Sequence, residues 1–160
     1  MLITENNEVI DQSLNIILWA HSINKNVNSE KYYSQELGNQ IREIIKENDE
    51  IFKFHLDRFK YSSRYKNEPE ICHLNEIRKI LYSWNKLLTK SEDNYYWLLE
   101  GKETIADWCL FPFVRQYKIA CMQKKISYYF EEPLNSWLSY FEGHSIFKKI
   151  MLKCPLWIEN

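Results

Sequence analysis

The sequence predicts an all-α fold, and three observations support this prediction. Apolar residues recur at spacings of three and four along most of the chain, which is the period of a helix with one buried face. The 160 residues include only 3 Gly and 4 Pro, too few for the many turns of a β-sandwich or a β-barrel. Hydrophobic residues make up 45% of the chain, which is enough to form the core of a single domain.

The elements follow in order along the chain. Residues 2–9 are typical of a short strand and turn with no sheet to join, and Ser13 is the expected N-cap of a helix over residues 14–22. One face of this helix is expected to carry Leu14, Ile17, Leu18 and His21, and residues 24–29 are expected to form a polar loop. Two long helices come next, over residues 32–59 and 70–90, with a polar segment between them. Their apolar stripes are Leu37, Ile41, Ile44, Ile45, Phe52, Leu56 and Phe59, and Leu74, Ile77, Leu81, Trp84 and Leu88.

The most informative element is a nearly apolar helix over residues 104–121. Thr104 and Asp107 have the spacing of a capping box, in which each side chain satisfies a backbone N–H of the other. This role accounts for Asp107, which we therefore interpret as a structural cap and not as a catalytic acid. Because the helix is apolar on nearly every side, we expect it to be the buried axis of a helical bundle. Pro112 lies inside the helix and predicts a kink.

The remaining elements are short. Residues 95–101 are expected to form an apolar turn against the core. Residues 133–143 predict a helix opened by a proline and ended by a glycine, and its inward residues are Leu134, Trp137, Leu138 and Phe141. A last helix over residues 145–152 is expected to be closed by Pro155 and capped by Trp157.

Charge and hydropathy exclude several classes of partner. The formal net charge is −1, which gives no electrostatic reason to expect nucleic acid or an anionic membrane. The first residues lack the basic and apolar regions of a secretory signal, and no apolar run reaches the length of a membrane span. We therefore expect a cytoplasmic protein that binds neither nucleic acid nor a membrane.

The cysteines and histidines do not predict a metal site. The cysteines form no Cys-x-x-Cys pair and are expected to be buried, reduced thiols; they are Cys72, Cys109, Cys121 and Cys154. The histidines show no ligand spacing; they are His21, His55, His73 and His144.

Four parts of the chain carry motifs of one protein family. They are Val9-Ile-Asp-Gln-Ser-Leu-Asn-Ile-Ile-Leu-Trp-Ala; Glu47-Asn-Asp with Leu56-Asp-Arg-Phe-Lys-Tyr and Arg64-Tyr65; Tyr96-Trp-Leu-Leu-Glu-Gly with Thr104-Ile-Ala-Asp; and Pro133-Leu-Asn-Ser-Trp-Leu with Phe147-Lys-Lys-Ile-Met-Leu-Lys. Together they resemble the C-terminal helical domain of a bacterial glutathione S-transferase-like protein. The resemblance implies a helical bundle over residues 30–160. It also implies that residues 1–23, a short strand or hairpin followed by a helix, are the remnant of a thioredoxin-like domain.

The resemblance implies a family activity, the conjugation of glutathione thiolate to electrophiles. It also implies a homodimer and a small electrophilic or hydrophobic ligand. The family's catalytic Tyr, Ser or Cys and its cis-proline lie in the thioredoxin-like domain, and neither has a counterpart in this sequence. We therefore expect no catalytic residue in this chain, and glutathione as co-substrate only if that domain is restored. The alternative is a non-catalytic helical interaction or structural module.

Three positions match the family's glutathione-binding residues. Gln12 and Ser13 match the pair that holds the γ-glutamyl carboxylate, and a serine at a helix N-terminus is a ready anion site. The alternative is that Ser13 only caps its helix. Asp49 lies on the helix that resembles the family's dimer-interface helix, where an acidic residue of some members reaches the partner's glutathione amine. The alternative is a solvated carboxylate.

A basic and aromatic cluster resembles part of the family's substrate pocket. The pocket is built from the end of the long helix and from the buried helix, so the candidates are Arg58, Tyr61, Arg64 and Arg115, with Lys60 and Tyr65 beside them. Such a cluster suits an acidic or aromatic substrate. The alternative is that these cations complement the C-terminal end of a helix dipole.

Overall fold

A computed structural model of the chain describes residues 1–23, 35–128 and 130–153, apart from the side chains of His21, Gln35 and Glu36. Several predicted features lie outside this part: the loop over residues 24–29, the helix start at Tyr32, the inward side chain of His21, the Cys154 thiol, and the closing Pro155 and Trp157.

The described part of the chain is all-α apart from two small antiparallel hairpins. The helices are α1 (Ser13–Ile23), α2 (Gln35–Glu47), α3 (Lys53–Lys60), α4 (Glu70–Leu87), α5 (Ile105–Lys124), α6 (Leu134–Gly143) and α7 (Ser145–Ile150). The strands are β1 (Leu2–Ile3) with β2 (Val9–Ile10), and β3 (Thr89–Lys90) with β4 (Tyr96–Trp97). None of the helices within the described ranges is long and apolar enough to cross a bilayer.

The N-terminal strand has a partner within the chain, so the interpretation as a strand with no sheet to join is wrong, whereas the expected alternative of a short hairpin at this end agrees with the structure. β1 pairs with β2, and Leu2 lies opposite Ile10. The Thr4 N–H donates to the Glu8 carbonyl at 2.9 Å, and the Glu8 N–H donates to the Thr4 hydroxyl at 3.1 Å. These reciprocal bonds close the turn and bring the two strands together.

The second hairpin replaces the predicted end of the second long helix. α4 ends at Leu87, and β3 follows where the sequence predicted further helical residues up to 90. The predicted turn over residues 95–101 contains β4, whose Trp97 pairs with Thr89. Gly101 has a φ of 64°, and a Cβ there would lie 3.3 Å from the Lys90 carbonyl oxygen. The turn after β4 therefore favours a glycine at this position.

The first long helix is not uniform. The described chain is helical from α2 through α3, but a π-helical turn over Asn48–Phe52 joins the two. The sequence predicted a single helix to residue 59. A spacing of three and four does not reveal one extra residue in a turn, so the apolar stripe carries no sign of this feature.

Helix α5 lies at the centre of the bundle, between α2, α3 and α6. Thr104 and Asp107 form the capping box at its start. The helix continues through Pro112 and ends at Lys124, three residues later than predicted. Its buried residues include Ile105, Ala106, Leu110, Phe111, Val114, Tyr117, Ala120 and Cys121.

The C-terminal helices cover one side of α5. α6 buries the four predicted residues, Leu134, Trp137, Leu138 and Phe141. The ring of Phe141 stacks on Phe111 of α5, with 4.8 Å between the ring centroids. α7 ends at Ile150, two residues earlier than predicted.

Candidate functional site

A groove of about 480 Å³ lies between α1 and α2. Leu14 and Leu18 on α1, and Ile41 and Ile45 on α2, are each spaced by four residues, so each pair lies on one face of its helix. The full lining is Leu14, Leu18, Gly38, Ile41, Arg42, Ile45, Lys46, Asp49, Glu50 and Ile105. An aliphatic floor with a few charged groups at its edge, and a volume in the range of roughly 300–1,000 Å³, is typical of a small-molecule site.

Three of the four charged residues that line the groove form ion pairs along the continuous helical stretch from α2 to α3, whereas Arg42 donates to the Asn39 side chain. The Lys53 ammonium donates to the Asp49 carboxylate at 2.6 Å, and Lys46 lies 3.9 Å from Glu50. Both pairs are spaced by four residues, and both are at least partly exposed. Exposed pairs of this kind contribute about 0–1 kcal/mol, so the charges can rearrange around a ligand at little cost.

Asn48, the neighbour of Asp49, is fully buried and only partly satisfied. Its Nδ2 donates to the Asp49 carboxylate at 2.9 Å, whereas its Oδ1 has no hydrogen-bond partner among the described residues. A buried acceptor without a partner costs about 1–3 kcal/mol and points to a bound water or ligand. Asn48 also begins the π-helical turn, a feature frequent at functional sites. The sequence analysis did not identify Asn48 as a site residue, although an asparagine within the apolar stripe was a signal.

Gln12 and Ser13 lie at the start of α1, close in sequence to the groove. The helix begins at Ser13 itself, one residue earlier than predicted, and the Gln12 carbonyl accepts the Ile16 N–H at 3.0 Å. The Gln12 and Ser13 side chains are exposed. The groove lining begins at Leu14, the next residue along the chain. A glutathione-binding role for Gln12 and Ser13 stays a prediction.

Arg58, at the end of α3, forms an ion pair and contacts two aromatic rings. Its Nε donates to Glu68 at 2.8 Å. The guanidinium lies 3.5 Å from the centroid of the Phe54 ring and 4.7 Å from that of Tyr65. The two ring contacts hold the Arg58 side chain in place. The ion pair with Glu68 already balances its charge.

The other predicted pocket residues divide between two places. Arg64 follows α3 in the chain and lies over the exposed Tyr61 ring at 4.4 Å. Arg115 instead lies 3.8 Å from Glu142 of α6 and 5.1 Å from the Phe147 ring. Arg115 is therefore held by α6 and α7. A single pocket that unites these residues stays a prediction.

Two histidines meet between α3 and α4, which sequence reasoning missed. The Nδ1 atoms of His55 and His73 are 2.9 Å apart, and His73 Nε2 lies 3.1 Å from Glu68. Burial, followed by the nearby His73, lowers the pKa of His55. One neutral ring must accept the hydrogen bond from the other. Within the described part of the chain, no group of three or more His, Cys, Asp or Glu side chains is arranged to hold a metal ion.

The three described cysteines are free thiols. Burial, more than the nearby Asp49 carboxylate, raises the pKa of Cys109 to about 11, and burial also raises the pKa of Cys121. Cys72 on α4 is exposed, so the prediction of a buried thiol is wrong there. Since the thiolate is the nucleophile, Cys109 and Cys121 are poorly suited to nucleophilic catalysis.

Comparison of the chain with models of protein families, with curated proteins and with solved structures found nothing similar.

Proposed function

We propose that this chain is a glutathione S-transferase-like helical module that binds a small hydrophobic molecule in the groove between α1 and α2. The observation that carries the proposal is the groove itself, with its aliphatic floor and the charged Asp49 at its edge. Asn48, the neighbour of the lining residue Asp49, supports a bound molecule nearby, because its buried Oδ1 has no hydrogen-bond partner among the described residues. The capping box of Thr104 and Asp107, which belongs to the family resemblance, supports the assignment of the helical fold.

In this proposal the chain binds a small hydrophobic molecule but does not itself conjugate glutathione to it. By the family resemblance, no residue of this sequence matches the Tyr, Ser or Cys that activates the glutathione thiol, and the thiols of Cys109 and Cys121 have raised pKa values. Glutathione enters the proposal only as the co-substrate of a protein that also has a thioredoxin-like domain. In that setting Gln12, Ser13 and Asp49 are the residues that would contact it.

A second candidate function is a non-catalytic interaction module in the cytoplasm that forms a homodimer. Exposed apolar side chains favour it: Leu18 and Ile23 on α1, Ile51 in the π-helical turn and Phe54 on α3 are each more than 40% exposed. A contiguous patch of such side chains marks an interface, whereas single exposed ones are common on monomers. Sedimentation velocity over a range of protein concentrations tests this, since a monomer at every concentration contradicts it.

A fluorescence titration with 8-anilinonaphthalene-1-sulfonate tests binding in the groove. Leu18 is 45% exposed and lines the groove, whereas Leu87 at the end of α4 is 41% exposed and does not. We expect Leu18→Gln to weaken binding of the dye about fivefold, because part of a leucine contact is lost, and Leu87→Gln to leave it unchanged. Equal effects of the two variants, or no binding at all, overturn the proposal.

Immobilised glutathione provides a separate test of the co-substrate. We expect the chain to pass through the resin, because Gln12 and Ser13 are the only residues of the sequence that match the family's γ-glutamyl site. Retention followed by elution with millimolar free glutathione would show that these residues suffice to hold it. The same experiment with Ser13→Ala then identifies the site.

A further inference from the structure

A second cavity, of about 210 Å³, lies between α4, α5 and the start of α6. It is lined by Arg78, Leu81, Tyr82, Asn85, Tyr117, Phe130, Glu131 and Leu134, and it shares no residue with the groove between α1 and α2. We propose that this cavity binds a free α-amino acid with a small aliphatic side chain, with its carboxylate at Arg78 and its ammonium group at Glu131.

The inner wall of the cavity is apolar. Leu81, Tyr117, Phe130 and Leu134 are all buried, and they come from α4, α5, the segment before α6, and α6. The cavity has less than half the volume of the groove between α1 and α2, so it suits a small ligand such as one with a branched aliphatic side chain. An aliphatic group that enters this space leaves water for apolar surface, which favours binding.

Arg78 is a cation held in position beside the cavity. Its Nη2 donates to the Ser127 carbonyl at 3.3 Å, and its guanidinium also interacts with the Tyr117 hydroxyl. Burial, followed by Cys121, raises the pKa of Tyr117 to about 12, so this phenol stays neutral and does not balance the arginine charge. Among the described residues no carboxylate lies within 4.0 Å of Arg78. A guanidinium has five N–H donors, so donors remain for a ligand carboxylate.

Glu131 supplies the opposite charge, on a backbone segment that is tied to α4. Asn85 of α4 accepts the Leu134 N–H at 2.8 Å through Oδ1, and donates to the Glu132 carbonyl at 3.4 Å through Nδ2. These two bonds tie the segment that carries Glu131 to the same helix that carries Arg78. Glu131 is exposed and has no cation within 4.0 Å in the described part of the chain.

The two charges therefore border one small cavity without pairing with each other. A ligand with a single charge would meet attraction on one side and repulsion on the other. An α-amino acid carries a carboxylate and an ammonium group on the same carbon, so it complements both, and its side chain can occupy the apolar wall. The two opposite charges and the apolar wall together therefore favour a small aliphatic α-amino acid over ligands with a single charge.

Titration of ¹⁵N-labelled protein with L-leucine, followed by two-dimensional NMR, tests the proposal. We expect saturable shifts at α4, at residues 130–134 and near Tyr117. Two analogues of similar shape each lack one charge: 4-methylpentanoate has no ammonium group and 3-methylbutylamine has no carboxylate. Each should bind about fivefold more weakly than leucine or worse, as expected for the loss of one partly exposed charge pair.

Matched variants complete the test. Arg78→Gln and Glu131→Gln should each weaken leucine binding about fivefold, whereas the neighbouring Lys79→Gln and the exposed Glu92→Gln should not. Circular dichroism confirms that each variant is folded. The proposal is overturned by the absence of saturable shifts up to the solubility of leucine, by equal affinity for the three ligands, or by equal effects of site and control variants. Failure here leaves dye binding in the groove between α1 and α2 untouched, because the two sites have no residue in common.

Discussion

The indole N–H of Trp137 donates to Oδ1 of Asp107 at 2.9 Å, and this bond ties α6 to the N-terminal cap of α5. The same oxygen accepts the Leu98 N–H at 3.0 Å, while Oδ2 accepts the N–H and the hydroxyl of Thr104, each at 2.9 Å. Burial raises the pKa of Asp107, against the opposing effect of these hydrogen bonds. One fully buried carboxylate thus joins a helix cap, the segment after β4 and a second helix.

Asp107→Asn should therefore cost more stability than the loss of a helix cap. An amide of the same shape turns one acceptor into a donor, which then faces N–H groups that can only donate. We expect a loss of about 3 kcal/mol in the free energy of unfolding, measured by urea denaturation. Thr104→Ala removes only the cap side chain and should cost about 1 kcal/mol. Equal losses in the two variants would show that Asp107 acts only as a cap.

The His55–His73 pair should make stability depend on pH. Burial lowers the pKa of His55 in the folded state below its ordinary value of about 6.5, so protonation favours the unfolded chain. The stabilisation is fully present above the unfolded pKa and is lost as the pH falls through the lower folded value. His55→Gln should therefore make the fall in unfolding free energy between pH 7 and pH 5 shallower than in the wild type. His144→Gln, remote from the pair, is the control, and identical slopes for all three proteins would contradict the prediction.

The helices and the core could be predicted from the sequence because burial repeats with the period of the helix. Every residue in the predicted stripes of the two long helices is buried, from Leu37 through Phe59 and from Leu74 through Leu88. The start of α5 could also be predicted, because the bonds between Thr104 and Asp107 depend on residues only three apart. Local patterns were sufficient where burial follows the period of the helix and where a cap depends on residues three apart.

The features that could not be predicted depend on distant neighbours, on single residues or on elements too short to show a pattern. Two-residue strands such as β1 and β3 are too short to show an alternating pattern. His55 and His73 are 18 residues apart and meet only because α3 packs against α4. The groove is a space between α1 and α2 and has no sequence motif of its own. Asn48 is the exception, since a polar residue within an apolar stripe was visible in the sequence.

Cys72 should react first among the described thiols. It is exposed on α4, whereas burial raises the pKa values of Cys109 and Cys121 and keeps them protonated. In a Cys154→Ser background at pH 8, we expect one thiol to react quickly with 5,5′-dithiobis(2-nitrobenzoate) and two to react slowly. Adding Cys72→Ser should abolish the fast phase, and peptide mass spectrometry should find the label on residue 72. A fast phase that persists without Cys72 would contradict this assignment.

Asn48→Leu should stabilise the chain, which is unusual for the replacement of a fully buried residue. Leucine has nearly the shape of asparagine, and the substitution removes a carbonyl oxygen that has no partner among the described residues. We expect a gain of about 1 kcal/mol in the free energy of unfolding, since the cost of an unmade hydrogen bond exceeds the loss of the bond to Asp49. Asn85→Leu is the matched control, because both ends of that amide are bonded, and it should destabilise. If Asn48→Leu also destabilises the ligand-free protein, a bound water satisfies the Asn48 oxygen. If Asn48→Leu instead stabilises the protein and weakens binding of the dye, the Asn48 oxygen contacts the ligand. The groove would then have lost a hydrogen-bond acceptor that the fold itself does not need.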